Sequence, residues 1–447
     1  MKRFIDTIKH IFAIEELRRK IIYTIGLLFM YRVGTFILLP GVNPANLAAS
    51  TPEGGKGILG VFDMFAGGAF NRASIFALGI MPYISASIFM QLLSLAVPFF
   101  QRLQREGDSG RRKINQYTRL LTVLVTIFQG SAYVKYLNYQ LGEGGITIPP
   151  FMFWLSTTII LTAGTIFVMW LGEKITDRGL GNGSSLLIMS GIISRLPSSL
   201  WAEFNSKLSG TGGGLLMFLV EMVFLVGVVI FTILLVQGTR KIPVQYAKRI
   251  VGNKQYGGVR QYIPLKVNIS GVMPIIFAQA FLFIPATIMQ FFPEQASSGG
   301  FIATLADYSS LPHAIFTFIL VVAFTYFYTA LIVNPVQMAD DLKRNNGFIP
   351  GVKPGKKTSE YIDTIMSRIT LPGSVLLALI AIMPAFAGLI GINSQFAYFF
   401  GGTSLLILVS VVLDTLQQIE THLLNRHYDG LTKTGTKIKG RSSVGNF

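Results

Sequence analysis

Ten apolar stretches, at about residues 21–39, 73–97, 119–138, 151–171, 185–196, 215–237, 269–292, 313–335, 370–391 and 398–419, constrain every fold open to this chain. A helix of about 20 apolar residues covers the roughly 30 Å hydrocarbon core of a bilayer. Because lipid offers the backbone no hydrogen-bond partners, such segments must be helical. The sequence therefore predicts an all-α polytopic membrane protein. Composition agrees, with 51% hydrophobic and only 13% charged residues among 447, against about a quarter charged in ordinary globular domains. An ordinary soluble enzyme is excluded. The fifth stretch is too short to count as a span on hydropathy alone.

The distribution of basic residues decides the count. Of 38 Lys and Arg, 32 fall in the two terminal segments and alternate connections, 5 fall in the opposite connections, and Arg32 lies within the first span. That is the positive-inside pattern of an even number of spans with both termini cytoplasmic, and removing the fifth span would invert the bias downstream. Residues 1–20 mix Phe4, Ile5, Ile8, Ile11, Phe12 and Ile14 with nine charged side chains. They read as a cytoplasmic amphipathic helix lying in the interface, with no cleavable signal peptide. The net charge of +17 sits mostly in loops, where it suits anionic lipid, an acidic protein surface or RNA.

Gly79-Ile-Met-Pro-Tyr-Ile84 in the second stretch returns as Gly271-Val-Met-Pro-Ile-Ile276 in the seventh, the second helix of each group of five. This repeat divides the chain into halves at 21–200 and 201–424. An odd number of spans per half places the halves upside down to one another, with the passage between them. Pro82 and Pro274 are expected to remove helix hydrogen bonds, which is tolerated where neighbouring helices or a cavity satisfy the freed carbonyls. Between the first two spans, Gly57 to Phe70 is apolar but too short to cross, which suits either a re-entrant segment buried in protein or an interfacial helix on the outer surface.

Catalytic groupings are not found. His10, His313, His422 and His427 are scattered and there is no cysteine, so neither a metal site nor a thiol nucleophile is expected. Gly181-Asn-Gly-Ser-Ser185 has no intramembrane histidine to activate a serine, and Ser184 or Ser185 is better placed as the cap of a short helix. Gly351 to Thr358 has the wrong spacing for a phosphate-binding loop. The sequence points to no enzyme and no cofactor. Arg32, Glu221 and Asp414 lie in different spans without an acid pair, which disfavours the alternative reading, a secondary transporter of a small solute.

Six motifs carry a family resemblance: Gly79 to Ser87, Gly107-Asp-Ser-Gly-Arg-Arg-Lys-Ile114, Gly172-Glu-Lys-Ile-Thr-Asp-Arg-Gly-Leu-Gly-Asn-Gly183, Tyr246-Ala-Lys-Arg249, Pro264-Leu-Lys-Val-Asn268 and Gly401-Gly-Thr-Ser-Leu-Leu-Ile407. In this order, over nearly the whole chain, they resemble the SecY family of bacterial protein-conducting channels. The resemblance implies ten helices in two inverted pseudo-symmetric halves around a central hourglass pore, with a plug and a lateral gate. It implies a pore ring of Ile80, Ile84, Ser184, Ile188, Ile276 and Ile407, in which Ser184 departs from the family's usual apolar residue. The plug would be residues 58–70, with Val61, Phe62, Met64 and Phe65 seated under the ring. Gln91, Gln129 and Gln279 would lie along the gate.

The loops at about 238–268 and 338–369 would dock cytosolic partners through Arg240, Lys241, Lys248, Arg249 and Lys353, ahead of a basic tail at 425–447. Lys353 stands where the family usually has Arg and lacks the bidentate fork. Implied partners are SecE and SecG as membrane subunits, the SecA ATPase or a ribosome as the engine, an unfolded polypeptide bearing a signal sequence, and membrane lipid. The implied location is the bacterial cytoplasmic membrane.

Overall fold

A computed structural model describes residues 14–50, 58–142, 144–208, 214–246, 249–251, 254–256, 260–291, 304–305, 310–389 and 391–433. Most of the N-terminal amphipathic segment and of the basic tail lies outside them.

Ten helices carry the ten apolar stretches. In the first half these are α1 (Glu15–Gly34), then, after the short α2 (Pro44–Ser50) and α3 (Ile58–Phe65), α4 (Met81–Ala96), α6 (Asp108–Leu141), α7 (Pro150–Arg178) and α8 (Gly183–Leu208), with α5 (Pro98–Arg105) between α4 and α6. The chain bends by 100° between α4 and α5, where Pro98 withholds an N–H and forces Val97 into an extended conformation. The second half holds α9 (Gly214–Gln237), strands β1 (Thr239–Tyr246), β2 (Arg249–Val251), β3 (Lys254–Tyr256) and β4 (Arg260–Lys266), then α10 (Met273–Phe291), α11 (Leu311–Ile332), α12 (Pro335–Arg344), β5 (Gly347–Phe348), α13 (Lys356–Leu389), α14 (Ser394–Ala397) and α15 (Gly402–Lys433). Among the described residues, six helical segments are long and apolar enough to cross a membrane by themselves. The remaining spans are bent, shorter in their apolar part or interrupted by charge.

Three expectations need correction. Pro82 and Pro274 remove no helix hydrogen bond: α4 begins at Met81 and α10 at Met273, so each proline sits in a first turn, where its missing N–H has no intrahelical partner to lose. Gly79 and Gly271 precede these starts with φ of 54° and 62°, a left-handed conformation that glycine adopts without strain. The repeated hexapeptide thus encodes the same local backbone, a left-handed turn feeding a helix, in both halves. Second, the fifth stretch belongs to a longer helix, since α8 runs for 26 residues, although α8 is not among the helices long and apolar enough to cross by themselves, as its hydropathy implied.

Third, Glu221 is not isolated but belongs to a buried cluster with Glu203 and Lys207 of α8. Lys207 Nζ lies 3.4 Å from Glu203 Oε1 and 2.9 Å from Glu221 Oε1 of α9, with all three residues buried. Lys207 also donates to the carbonyl of Gly391 (3.2 Å), and Glu203 Oε2 accepts the N–H of Asn393 (2.9 Å). Charges in hydrocarbon persist where they pair with one another. This network ties the end of α8 to α9 and to the turn at Gly391 and Asn393.

The loops between α9 and α10 and between α11 and α13 are not independent. Antiparallel β1 pairs with β4 in the register Arg240↔Leu265 and Ile242↔Ile263, and with β5 through Gln245↔Phe348 and Tyr246↔Gly347, giving the sheet order β4-β1-β5. Alternation along β1 turns Ile242 and Val244 inward with Leu265 onto Leu342 of α12, Ile349, and Ile362 and Met366 of α13. Both basic loops therefore share one apolar core.

Candidate pore and plug

Four isoleucines meet around one cavity. Ile84 of α4, Ile188 of α8, Ile276 of α10 and Ile407 of α15 line one cavity together with Phe65, Met81, Ser85, Gln279 and Ala280. Its room for a water-sized sphere is about 10 Å³, at the lower limit for holding one water molecule. Two of the isoleucines come from each half. Ile84 and Ile276 end the repeated hexapeptide, so the matched turns before α4 and α10 present matched residues from opposite halves.

Ile80 and Ser184 do not line this cavity. Ile80 precedes the first residue of α4, and its Cδ1 lies 3.5 Å from where a Cβ on Gly172 of α7 would stand. Ser184 turns its hydroxyl onto Asn182 Oδ1 (2.7 Å), which also accepts the Ser184 N–H at 3.1 Å. Asn182, rather than Ser184 or Ser185, thus supplies the accepting side chain at the start of α8.

Residues 58–70 fold as α3 and the turns after it, and residues 62–70 are buried, which favours the re-entrant reading of that segment over the interfacial one. Phe62, Met64 and Phe65 are buried, with Phe62 stacked on Phe70, which in turn packs against Tyr133 and Tyr136 of α6. Tyr133 donates its hydroxyl to the Phe70 carbonyl at 2.6 Å. The side chain of Val61 lies outside the described residues. Asp63, although charged, is 4% exposed, and it pairs with Arg195 of α8.

The three glutamines do not meet. Gln91 Nε2 donates to Ser87 Oγ at 3.5 Å within α4, and its Oε1 accepts from Tyr328 of α11 at 3.4 Å. Gln279 lines the cavity. Gln129 Oε1, on α6, is buried without a hydrogen-bond partner among the described residues. Helices α4 and α6 of the first half pack on α10 of the second, so the glutamines lie on three helices that share this seam.

On the sheet, Arg240 and Lys241 are exposed. Lys248 falls outside the described residues, and Arg249 is described only through its backbone, paired with Tyr256 in the β2–β3 ribbon. Lys353 is exposed, its carbonyl accepting from Thr358 Oγ1 at 3.0 Å. Nearby, Lys357 donates to Glu360 Oε2 at 2.9 Å. That contact raises the Lys357 ammonium above its ordinary range and lowers the Glu360 carboxyl.

Sequence reasoning missed Tyr328, Met81, Ser85 and Arg195. Of these, Arg195 had a signal, an arginine one residue before the end of a predicted apolar stretch.

Known proteins bear on this arrangement. The family model described as SecY matches residues 74–416. Protein translocase subunit SecY of Chlamydia muridarum is 41% identical, covering 97% of this chain and 99% of that protein. SecY of Streptomyces coelicolor is 44% identical over 94% and 98%, and that of Escherichia coli K12 40% identical over 96% and 97%. A solved protein-conducting channel superposes with a TM-score of 0.63 at 18% identity, covering 94% of this chain and 95% of that one. Sec61 in the canine ribosome-channel complex does so at 0.59, with 18% identity over 94% and 95%. At that identity the superpositions speak to fold alone, and the fold they share is that of a polytopic channel. The near-full-length identities and the family match settle the descent: this chain belongs to the SecY family.

Proposed function

We infer that the chain is the protein-conducting subunit of a translocase, moving unfolded polypeptides across a membrane and releasing apolar segments sideways into it. The observation that carries this reading is the convergence of Ile84, Ile188, Ile276 and Ile407, from both halves, on one narrow cavity walled in part by Phe65 of α3. Branched apolar side chains in a ring dewet when the pore is empty and so resist ions. They also grip an extended chain of any sequence without a hydrogen bond to break at each step. Ile80 and Ser184 stand behind that ring in this reading, and residues 58–70 act as the plug. The seam where α4 and α6 meet α10 is the lateral gate.

No step makes or breaks a covalent bond, so the driving energy comes from a partner. The exposed charges of Arg240, Lys241 and Lys353 on one packed body suit ribosomal RNA phosphates or an acidic surface on an ATPase such as SecA. SecE and SecG complete the membrane assembly. The 32 to 5 division of basic residues among connections supports cytoplasmic termini, with the bacterial cytoplasmic membrane as the site.

The test is crosslinking from single-cysteine variants Ile84→Cys, Ile276→Cys and Ile407→Cys to a stalled secretory chain in the assembled complex, clean because the chain has no cysteine. Crosslinks from all three place the polypeptide inside the ring. Their absence with the chain fully engaged would make these isoleucines packing residues and move the passage elsewhere.

A further inference from the structure

The end of the segment read as the plug is held by charge from two different helices. Asp63 Oδ1 accepts the N–H of Asn71 at 2.9 Å, closing the turn after α3, while Oδ2 pairs with the Arg195 guanidinium of α8. Arg32 of α1 reaches the carbonyl of Gly67 with Nη1, a long hydrogen bond of 3.5 Å. The fit around these contacts is close. A Cβ on Gly67 would lie 2.1 Å from Arg32 Nη1 and 3.0 Å from Gly191 Cα of α8, and a Cβ on Gly68 3.1 Å from the Arg195 guanidinium. One on Gly191 would lie 2.2 Å from the Phe65 carbonyl oxygen.

Two guanidiniums therefore converge on a segment that offers one carboxylate. The third arginine nearby, Arg72, is directed away onto the Phe36 ring at 4.4 Å. Burying a charge is unfavourable unless it is paired, and removing one member of a buried pair leaves the other uncompensated. Moving residues 58–70 out of place strips Arg195 of the carboxylate it pairs with among the described residues, and strips Arg32 of its carbonyl.

We propose that Arg195 and Arg32 are positioning residues that latch the plug in the idle channel, the Asp63–Arg195 pair carrying most of the hold. This rests on the reading of residues 58–70 as the plug. The latch uses the arginine of the first span, whose one side-chain hydrogen bond among the described residues is to the Gly67 carbonyl. It makes resting closure depend on two side chains that lie away from the isoleucine ring.

The experiment is single-channel recording of the full purified complex in planar bilayers. The parent is compared with a variant lacking residues 58–70 and with Arg195→Gln, Asp63→Asn, their double variant and Arg195→Lys. Loss of this pair, with Asp63 buried and Arg195 only half-buried, should raise the resting open fraction on the order of tenfold in each single neutral variant. The double variant should rise no further, and Arg195→Lys should fall between. Signal-dependent translocation should persist in the neutral variants, which also reports that they fold; if Arg195→Gln fails to insert, Asp63→Asn, of the parent's shape, carries the test. Parent-like sealing by Asp63→Asn and Arg195→Gln, with a leaking deletion variant, overturns the latch and leaves the plug standing. Openings that multiply in the double variant overturn the pairing. A deletion variant that stays sealed overturns the plug reading itself, and the latch with it.

Discussion

Tyr328 of α11 donates its hydroxyl to Gln91 Oε1 of α4 at 3.4 Å, joining the two halves along the seam read as the lateral gate. The bond is long, and interhelical hydrogen bonds in membranes contribute about 1 kcal/mol or less. It biases closure without fixing it. Replacing Tyr328 with Phe keeps the ring against Phe277 and removes only the donor. The variant should accept weak signal sequences faster, by about fivefold or less. Export kinetics of a precursor with a shortened signal sequence would show this, and unchanged kinetics would mean that gating strength lies elsewhere on the seam.

Gly191→Ala tests the seat of α3. Its methyl carbon would fall 2.2 Å from the Phe65 carbonyl oxygen, which is backbone, so the end of α3 must move away from α8. Overpacking of this kind costs about 1–3 kcal/mol. Increased resting conductance with the protein still folded is the expected result. A sealed channel would show that α8 does not set the plug's position.

Lys207 is the hub of a buried network with two acids. Lys207→Met leaves Glu203 and Glu221 without their cation and should lower stability by about 3–5 kcal/mol, read as a fall in thermal unfolding temperature in detergent. Adding Glu203→Gln and Glu221→Gln to that variant should recover most of the loss, since neutral partners need no counter-charge. Equal instability in the triple variant would assign the effect to packing.

Arg240→Glu, Lys241→Glu and Lys353→Glu together reverse charge on exposed positions of the sheet body without touching its core. Affinity for the ribosome or the ATPase engine should fall, and its dependence on salt should weaken, while thermal stability stays at the parent's value. Parent-like binding by this variant removes the docking assignment.

The spans were legible because hydrocarbon demands long apolar runs and translocation leaves its mark in Lys and Arg. Hydropathy failed where charges are paired: Glu203 and Lys207 read as loop residues, and α8 was cut short by the penalty that their mutual contact removes. The isoleucines divided at the start of α4. Ile80 is the residue before α4 and its carbonyl accepts the Ile84 N–H at 3.1 Å, yet its side chain packs toward Gly172 of α7 and not into the cavity. Ser184 does not line the cavity, and the motif alone does not reveal that its hydroxyl bonds to Asn182 Oδ1. The alternation of Ile242 and Val244 within Thr239-Arg-Lys-Ile-Pro-Val-Gln-Tyr246 was present all along, yet the surrounding basic residues drew attention to charge and away from period two. Tyr328 had no signal, since one tyrosine in an apolar helix names no partner.

The pairing of Tyr246 with Gly347 and of Gln245 with Phe348 has a consequence for how this surface changes between relatives. Neither loop can be exchanged alone, because a transplanted β1 hairpin would meet a foreign β5 and a foreign floor of Leu342, Ile362 and Met366. Chimeras that swap partner preference should work only when residues 239–266 and 335–366 travel together, making two distant stretches of sequence a single unit of inheritance.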